Sequence, residues 1–309
     1  MTCCVLFPSQ LFDPCLVEED FATQAECARA AGFDTLLLDQ EKVDAGDYTK
    51  VARSVRRSLT RAGNDTAQIL AAYRGWMLTV AQYESLYAAL FEEGIELINS
   101  PEAYAHCHLL PESFDIIREH TPHSVWIPMT PGALRIDEVV AAAAEFGDAP
   151  VIIKDYVKSR KHEWDEACFV PKASDQEQLR EVVTTFVERQ ETSLVGGVVV
   201  REFIELERVG THAQSGMPLT REHRVFVLDG EPIANAPYWD GADYADGVAP
   251  LDGFTEVMKS VRSRLFTMDL ALGTDGVWRI IELGDGQVAG LLDTISPEIL
   301  YATLASRLL

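Results

Sequence analysis

"VWRIIELGDGQVAG", residues 277–290, decides how the second half of this chain folds. A short apolar run, Val277 to Ile281, ends on an acid, Glu282, and a Gly-Asp-Gly triplet follows at residues 284–286. An apolar run bounded by turn residues predicts a buried strand. Burying a carboxylate is costly unless it is paired or bound to a cation. The stretch therefore predicts a strand whose end presents acids to a positively charged group.

The preceding segment predicts the hairpin partner of this strand. "FTMDLALGTDGVWRIIEL", residues 266–283, holds two apolar runs around an Asp-Gly pair, a strong hairpin signal. A turn at residues 273–276 places Asp269 across from Glu282, give or take one or two positions, where opposed Cβ atoms lie about 4.5–5.5 Å apart. Carboxylates that close repel unless a cation lies between them, and Asp285 is near enough to join them. Such oxygen ligands favour Mg²⁺; the alternative is a solvated hairpin edge whose acids face water.

The composition sets limits on the partners of the chain. Its 309 residues are 47% hydrophobic and 24% charged, as in soluble globular proteins. The formal net charge of −23 argues against nucleic acids and anionic membranes as partners. No run approaches the roughly 20 apolar residues of a membrane span, and the start lacks the features of a signal peptide. We expect a cytoplasmic protein whose six cysteines are reduced and buried, because they show no zinc-site spacing.

Strands and helices alternate over the first hundred residues, which predicts an α/β domain with a parallel sheet at 1–100. The proline-rich segment "HTPHSVWIPMTPG", residues 120–132, predicts a linker, which we place at 101–130. The remainder predicts α+β structure with antiparallel hairpins, divided into lobes at 131–204 and 205–309. The expected fold class is thus an α/β domain followed by a two-lobed α+β region.

A strand with an internal lysine is followed by further basic residues. "VIIKDYVKSRKHEW", residues 151–164, places Lys154 inside an apolar run and then Lys158, Arg160 and Lys161 in quick succession. A buried lysine needs an anion, and a basic loop leaving the strand suits a triphosphate. The alternative is a partly exposed edge strand whose lysine reaches outward to water.

Two more strands carry charged residues at suggestive positions. "VVVREFIELE", residues 198–207, places Phe203 and Ile204 between two acids, Glu202 and Glu205, as in a connection that flanks a flat ring. "REHRVFVLDGEP", residues 221–232, places an acid and an arginine on alternate positions of one strand, so the two share a face. Each segment alone is weak: the first looks like many strands, and the second is equally expected of a surface ion pair.

In this order, the segments resemble the ATP-grasp superfamily over roughly residues 100–309, and the first hundred residues resemble its usual N-terminal partner domain. The resemblance implies two lobes clamping a nucleotide, with ATP and Mg²⁺ as cofactors. It also implies these roles: Lys154 at the α-phosphate and the adenine edge; Glu202, Phe203 and Ile204 reading adenine through backbone groups; Glu222 on the ribose hydroxyls; Lys158 and Arg224 at the phosphates as catalytic cations; Asp269, Glu282 and Asp285 as metal ligands.

The sequence departs from the family pattern in several places. The family usually ends its motif Glu-x-Asn; here Gly284 stands at the Asn position, so Asp285 supplies a third ligand or nothing does. The usual phosphate loop is glycine-rich and mobile, whereas residues 157–164 hold no glycine. The early linker helices offer no confident lysine, only His106, His108 and Arg118. The inserts at 208–220 and 240–253 have no family role that the sequence indicates.

A looser resemblance concerns the first domain. "AYRGWML", residues 72–78, with "NSPEAYAHCHLLPES" at 99–113, looks like a bacterial and phage ATP-grasp clade whose substrates are mostly unassigned. Arg74 and Trp76 follow a predicted strand, at the edge that faces the ligand crevice in open α/β sheets. We expect both to bind substrate, with Arg74 on a carboxylate; the alternative is an Arg-Trp packing pair at a domain interface.

The resemblance implies an ATP-dependent carboxylate–amine ligase. Such an enzyme phosphorylates a carboxylate to an acylphosphate, from which an amine displaces phosphate, giving an amide or peptide bond with ADP and phosphate as products. The expected substrates are small carboxylates and amines, such as amino acids or short peptides, and a homodimer is left open. Two alternatives also stay open: a phosphotransferase using the same nucleotide site, and a non-catalytic nucleotide-binding module.

Overall fold

A computed structural model describes residues 3–64, 66–130, 134–211, 217–242, 244 and 248–309. The chain divides into two compact units. The first comprises Met1–Cys107, Val209–Asp269 and Leu283–Leu309, and the second comprises His108–Arg208 and Leu270–Glu282. The chain thus enters the first unit three times, whereas the sequence predicted consecutive domains. The predicted boundaries at residues 100, 130 and 204 stay a prediction about folding domains.

The first unit begins with a parallel α/β layer. Its elements are β1 (Cys3–Pro8), α1 (Ala22–Ala30), β2 (Asp34–Leu38), α2 (Gln40–Asp44), α3 (Tyr48–Arg61), β3 (Ile69–Tyr73), α4 (Val80–Glu92), β4 (Ile95–Leu97) and α5 (Pro101–His108). The strands form a sheet in the order β2-β1-β3-β4, and each neighbouring pair is parallel. Cys4 and Leu6 of β1 face one core, and Cys3, Val5 and Phe7 face the other. Helices therefore cover both faces, which confirms the predicted α/β layer.

The second unit contains an antiparallel sheet between helices. Its elements are α6 (Leu110–Ile117), β5 (Ser124–Pro128), α7 (Ile136–Ala142), β6 (Val151–Lys154), α8 (Trp164–Ala167), β7 (Phe169–Val170), α9 (Gln176–Gln190) and β8 (Gly197–Glu202). The strand order is β5-β8-β6-β7. One face, which includes Val151, Ile153, Val198 and Val200, packs in a core with residues of α7 and α9. Because side chains alternate along a strand, Lys154 and Arg201 lie on the opposite face.

The rest of the chain is largely antiparallel. It forms β9 (Arg208–Thr211), β10 (Pro218–Thr220), β11 (Glu222–Leu228), β12 (Glu231–Pro237), α10 (Thr255–Ser260), β13 (Leu265–Leu272), β14 (Trp278–Asp285) and α11 (Pro297–Leu308). The sheets are β10-β9 and β12-β11-β13-β14. Asp229 and Gly230 both have positive φ, 50° and 80°, as a two-residue hairpin turn of the predicted kind requires. Both predicted hairpins are confirmed.

The structure corrects the linker prediction for residues 101–130. This range contains most of α5, all of α6, and β5, which pairs with β8 from Ser124↔Arg201 to Pro128↔Gly197. Its prolines flank an edge strand, where proline is tolerated, rather than marking an unstructured connection. The insert at 208–220 forms β9 and β10, while its tip at 212–216 and residues 243 and 245–247 of the second insert lie outside the described residues.

Two further predictions concern cysteines and membranes. Five cysteines are buried and free, but Cys15 is exposed, so the prediction that all six are buried was wrong for that one. Cys15 sits in the surface loop after β1, where no core residue surrounds it. Among the described residues, no helix combines the length and apolarity needed to cross a bilayer.

Candidate nucleotide site

Lys154 ends strand β6 as a buried cation. Its side chain is largely shielded, at 8% exposure for the residue. Burial lowers the pKa of Lys154, and the nearby Glu282 carboxylate partly opposes this shift. Among the described residues, its ammonium makes no hydrogen bond and no ion pair within 4 Å. A buried cation without a partner is destabilising unless an anion binds it, so Lys154 has the properties expected of an anion ligand.

The loop after Lys154 is fixed by one buried carboxylate. Asp155 is 1% exposed, and one of its oxygens accepts hydrogen bonds from the amides of Val157 (2.7 Å) and Lys158 (2.6 Å). The other oxygen accepts from Gln190 Nε2 at 2.9 Å and from the Val195 amide at 3.3 Å. The loop thus has an internal latch, which accounts for its lack of glycine: Asp155 sets its backbone, whereas a glycine loop would stay mobile.

The basic residues of this loop have different partners. Arg160 pairs with Glu163 and donates to Gln190 Oε1 at 3.0 Å, so it is held within the second unit. The ammonium groups of Lys158 and Lys161, by contrast, make no hydrogen bond or ion pair with another described residue. The predicted role of Lys158 at phosphates therefore agrees with its open side chain, and Lys161 joins it as a second candidate.

The predicted adenine segment is partly committed to the sheet. The amide of Glu202 donates to the His123 carbonyl at 2.8 Å, and the amide of Phe203 donates to the Pro150 carbonyl at 3.0 Å. The amide of Ile204 makes no hydrogen bond with another described residue. This corrects the prediction for two of the three amides, because strand pairing continues past the end of β8. The Ile204 N–H is left to bind a base edge.

An aromatic cluster borders this segment. Phe203 packs edge-on against Phe169 at 5.0 Å between ring centroids and against Trp164 at 5.7 Å, and Trp164 stacks on Phe169 at 5.1 Å. Phe169 pairs with Ile152 across the sheet, which places it on the same face as Lys154. The sequence did not indicate Trp164 or Phe169, because β7 has only two residues and shows no alternation to detect.

Glu282 lies in the second unit as an exposed acid. Its carboxylate makes no hydrogen bond or ion pair with another described residue. It is nevertheless close enough to raise the pKa of Lys154 and Arg201 against the lowering effect of burial. Arg201, 3% exposed, donates to Thr121 Oγ1 at 2.8 Å, and that hydroxyl donates to the Ile280 carbonyl at 2.7 Å. Arg201, which the sequence analysis did not select, thus supports the strand that carries Glu282.

In the first unit, Arg224 and Asp269 hold each other. Arg224 Nε and Nη2 donate to the two Asp269 oxygens at 2.8 and 2.7 Å, with side chains only 13% and 10% exposed. The guanidinium also lies 5.0 Å from the ring centroid of Tyr238 and donates to the Gly290 carbonyl at 3.0 Å. A predicted phosphate-binding cation and a predicted metal ligand therefore neutralise each other without a ligand. Glu222 lies two residues earlier on β11 and accepts from Trp239 Nε1 at 3.3 Å.

The structure corrects the prediction that Asp285 binds a metal. This residue is fully buried, and its carboxylate accepts from Asn99 Nδ2 at 2.6 Å, the Gln287 amide at 2.9 Å and Gln287 Nε2 at 3.2 Å. Burial raises the pKa of Asp285 to about 6. Its oxygens are thus enclosed by donors of the protein and serve the core of the first unit.

The prediction that Arg74 binds substrate also needs correction. Arg74 is 3% exposed and donates to the Gly286 carbonyl at 2.6 Å, the Ala289 carbonyl at 3.0 Å and Gln24 Oε1 at 2.9 Å. Its guanidinium therefore satisfies buried acceptors instead of facing the crevice. Trp76 differs, since it is 43% exposed and packs edge-on against Phe21 at 5.2 Å.

The acids fit a metal only in a restricted way. Within the described part of the chain, no group of three or more His, Cys, Asp or Glu side chains is placed to hold a metal ion. Glu282 has open oxygens, whereas Arg224 occupies those of Asp269. Asp269 and Glu282 belong to different units. This donor set fits Mg²⁺ that arrives with a nucleotide, because Mg²⁺ is usually bound by one or two carboxylates plus substrate phosphates.

Comparisons with known proteins identify the fold. Residues 145–304, more than half of the chain, match a family model described as an "ATP-grasp domain", the third family of one clade of that superfamily. The D-cycloserine synthetase DcsG has a similar structure, with 13% identity, a TM-score of 0.60, and 98% of this chain and 99% of that chain covered. A RimK domain ATP-grasp protein from Sphaerobacter thermophilus DSM 20745 gives 15% identity, a TM-score of 0.59, and 99% and 98% coverage.

A third structure was solved with ligands. The ATP-grasp ligase PsnB, complexed with minimal precursor, Mg and ADP, has 16% identity, a TM-score of 0.55, and 98% of this chain and 97% of that chain covered. Identities this low establish the fold alone. No curated protein matches this sequence significantly. The similarity over nearly the full length confirms the predicted fold class.

Proposed function

Because the chain belongs to the ATP-grasp superfamily, we propose that it is an ATP-dependent ligase joining a carboxylate to an amine. One observation carries the proposal: Lys154, Lys158 and Lys161 of the second unit make no ion pair with another described residue. This occurs in a chain with 49 acidic and 26 basic residues, where partners for lysine are abundant. Three open ammonium groups within eight positions suit the charge of a triphosphate.

Each unit would contribute its own groups to binding ATP. In the second unit, we assign the phosphates to the three lysines, the adenine edge to the Ile204 amide and magnesium to Glu282. In the first unit, we assign the ribose hydroxyls to Glu222, phosphate to Arg224 and magnesium to Asp269. Bound Mg²⁺ would supply positive charge to the transferring phosphoryl group. Asp155 contributes indirectly, by holding the backbone from which Lys158 extends.

The proposed reaction has two steps. A substrate carboxylate oxygen forms a bond to the γ-phosphorus of ATP as the bond from that phosphorus to the bridging oxygen breaks, which gives an acylphosphate and ADP. The amine nitrogen then bonds to the acyl carbon, the carbon–oxygen bond to phosphate breaks, and the nitrogen loses a proton. The first step brings two anions together, so positive side chains must neutralise them. Lys158 and Arg224 are the candidates for this role.

One observation favours a second candidate, a non-catalytic nucleotide-binding module. Asp285, the acid that could replace the third ligand of the family motif, is enclosed by Asn99 and Gln287. The end motif therefore offers Glu282 without an accessible acid beside it. A site with reduced metal binding would still bind the nucleotide through its lysines, but it would turn over slowly or not at all.

Product analysis distinguishes these candidates. Purified protein is incubated with MgATP and pairs of carboxylates and amines, and ADP, phosphate and product masses are measured. With an ¹⁸O-labelled carboxylate, the ligase must transfer one labelled oxygen to the released phosphate and form an amide. Substrate-dependent ADP release with a phosphorylated product and no phosphate release would instead show a phosphotransferase. Glu282→Gln serves as the inactive control, and MgATP binding without turnover on any pair would support the module.

A further inference from the structure

The parallel sheet of the first unit has a topological switch point between β1 and β3. The sheet order is β2-β1-β3-β4, so the connection from β1 through α1 leads to one side and that from β3 through α4 leads to the other. In open α/β sheets, ligands bind outside the carboxyl ends of the strands at such a point. Here, the segments at that point are residues 9–18, after β1, and residues 74–79, after β3.

Both segments carry large apolar side chains that face solvent. The exposed fractions are 46% for Leu11, 95% for Phe12, 51% for Leu16, 43% for Trp76 and 45% for Met77. Burying one such side chain typically stabilises a protein by about 1.5–3 kcal/mol, and this energy is not realised here. Isolated exposed apolar residues need no explanation, but a group of them at a predicted ligand position indicates a binding surface.

The first segment is held in shape rather than extended freely into solvent. Ser9 and Val17 form a bridge, and the Gln10 amide donates to the Leu16 carbonyl at 2.9 Å. The Glu18 amide donates to the Pro8 carbonyl at 2.9 Å, which closes the base of the loop. The loop is therefore preorganised, so binding through it costs less conformational entropy than ordering a flexible segment.

The charge around these residues defines the ligand further. A pocket of about 330 Å³ in this loop is lined by Gln10, Leu11, Phe12, Asp13, Glu18 and Glu19. Three of these residues are acidic and none is basic. Arg74, the cation expected to take a carboxylate at this edge, instead faces buried acceptors. The pocket thus complements a ligand that is apolar and positively charged, and it disfavours an anion.

We propose that this pocket binds the amine substrate, as the ammonium of an apolar amino acid or of the apolar first residue of a peptide. The apolar side chain would pack on Leu11 and Phe12, and Asp13, Glu18 and Glu19 would attract the ammonium group. This inference rests on the proposed ligase function for the identity of the substrate, since it names which of the two substrates the site takes. It also replaces the expectation that this edge binds a carboxylate.

The test is a ligand-observed NMR titration without nucleotide. The probes are phenylalanine amide, which is cationic, and N-acetylphenylalanine, which is anionic and carries the same ring. Phe12→Ala and Glu18→Gln change the site; Phe12 is 95% exposed, so its removal leaves the core intact. Phe91→Ala on α4 is the matched control, because Phe91 is also an exposed aromatic residue of the first unit, at 52%.

We expect saturable binding of phenylalanine amide that is weakened about tenfold or more, or at least 1.4 kcal/mol, by Phe12→Ala. Glu18→Gln should weaken the binding of the cationic probe, and Phe91→Ala should leave it unchanged. Three results would each overturn the inference: no saturable binding of phenylalanine amide, equal binding of both probes, or equal effects of Phe12→Ala and Phe91→Ala.

MgATP binding, measured by calorimetry on the same variants, separates this inference from the proposed function. Phe12→Ala should bind MgATP as tightly as the unchanged chain does. If phenylalanine amide binds as expected but MgATP does not bind at all, the proposed function fails and the pocket stands. If MgATP binds and is turned over while the amide shows no site-dependent binding, the pocket fails and the proposed function stands.

Discussion

Replacing Asp285 by asparagine tests whether this residue belongs to the core or to a metal site. Its carboxyl is fully buried, and burial raises its pKa from 3.8 to about 6, although hydrogen bonds from Asn99 and Gln287 act against the shift. Between about pH 4 and pH 6, the native protein therefore holds a proton that the unfolded chain has released, and stability falls as pH rises through this window. A shift of about two units corresponds to about 3 kcal/mol.

The assay is urea unfolding of the unchanged protein and of Asp285→Asn at several pH values from about 4 to 7. Because asparagine does not titrate, the stability of the unchanged protein relative to the variant should fall by about 3 kcal/mol across this range. Asp275→Asn is the control, because Arg279 lowers the pKa of Asp275 to about 2, so its contribution should be flat here. A stability difference for Asp285→Asn that stays constant with pH would refute the reasoning, as would a loss of magnesium-dependent ATP binding.

Three further substitutions test other parts of the site. Glu282→Gln should keep the melting temperature, because the side chain is exposed, while abolishing ATP turnover; full activity would remove Glu282 from the mechanism. Asp155→Ala leaves four donors without their acceptor, so trypsin should cleave after Lys158 sooner and the KM for ATP should rise about tenfold, or 1.4 kcal/mol; unchanged cleavage would contradict the latch. Arg224→Met removes two hydrogen bonds from the nearly buried Asp269 and should lower the unfolding free energy by about 3 kcal/mol, whereas an unchanged urea midpoint would show that the pair contributes nothing.

Local patterns predicted much of the fold. The Asp229-Gly230 turn was expected from a two-residue signal between apolar runs, and it has the positive φ values that such a turn needs. The strand around Lys154 and the alternation of helices and strands in the first hundred residues were equally local features. Each depends on residues within about ten positions of one another, and sequence patterns report such features directly.

The orientation of individual polar side chains could not be predicted, because it depends on residues far away in sequence. Asp285 is enclosed by Asn99, 186 positions earlier. Arg74 turns inward to the Gly286 carbonyl, 212 positions later. In both cases, the sequence placed the residue correctly at the end of a strand, but the distant partner decided whether the side chain faced the core or the solvent. Burial of an ion is tolerated only with such partners.

The edge strand β5 shows a different limit of the sequence analysis. Its flanking prolines, Pro122 and Pro128, suggested a linker, and proline does interrupt strands in the middle of a sheet. At the edge, however, a strand needs only one partner, and β8 provides it. Composition alone could not indicate that this segment would lie at a sheet edge.

The central claim is that the open lysines of the second unit bind the phosphates of ATP, and a calorimetric titration with MgATP tests it most directly. Lys154→Met is compared with Lys172→Met, since Lys172 already pairs with Asp148 at 3.1 Å in the same unit. The unchanged protein should bind MgATP at one site, Lys154→Met should bind about tenfold more weakly or worse, a loss of at least 1.4 kcal/mol, and Lys172→Met should bind normally. Equal affinity for MgATP in Lys154→Met and the unchanged protein, or no binding by either, would contradict the claim.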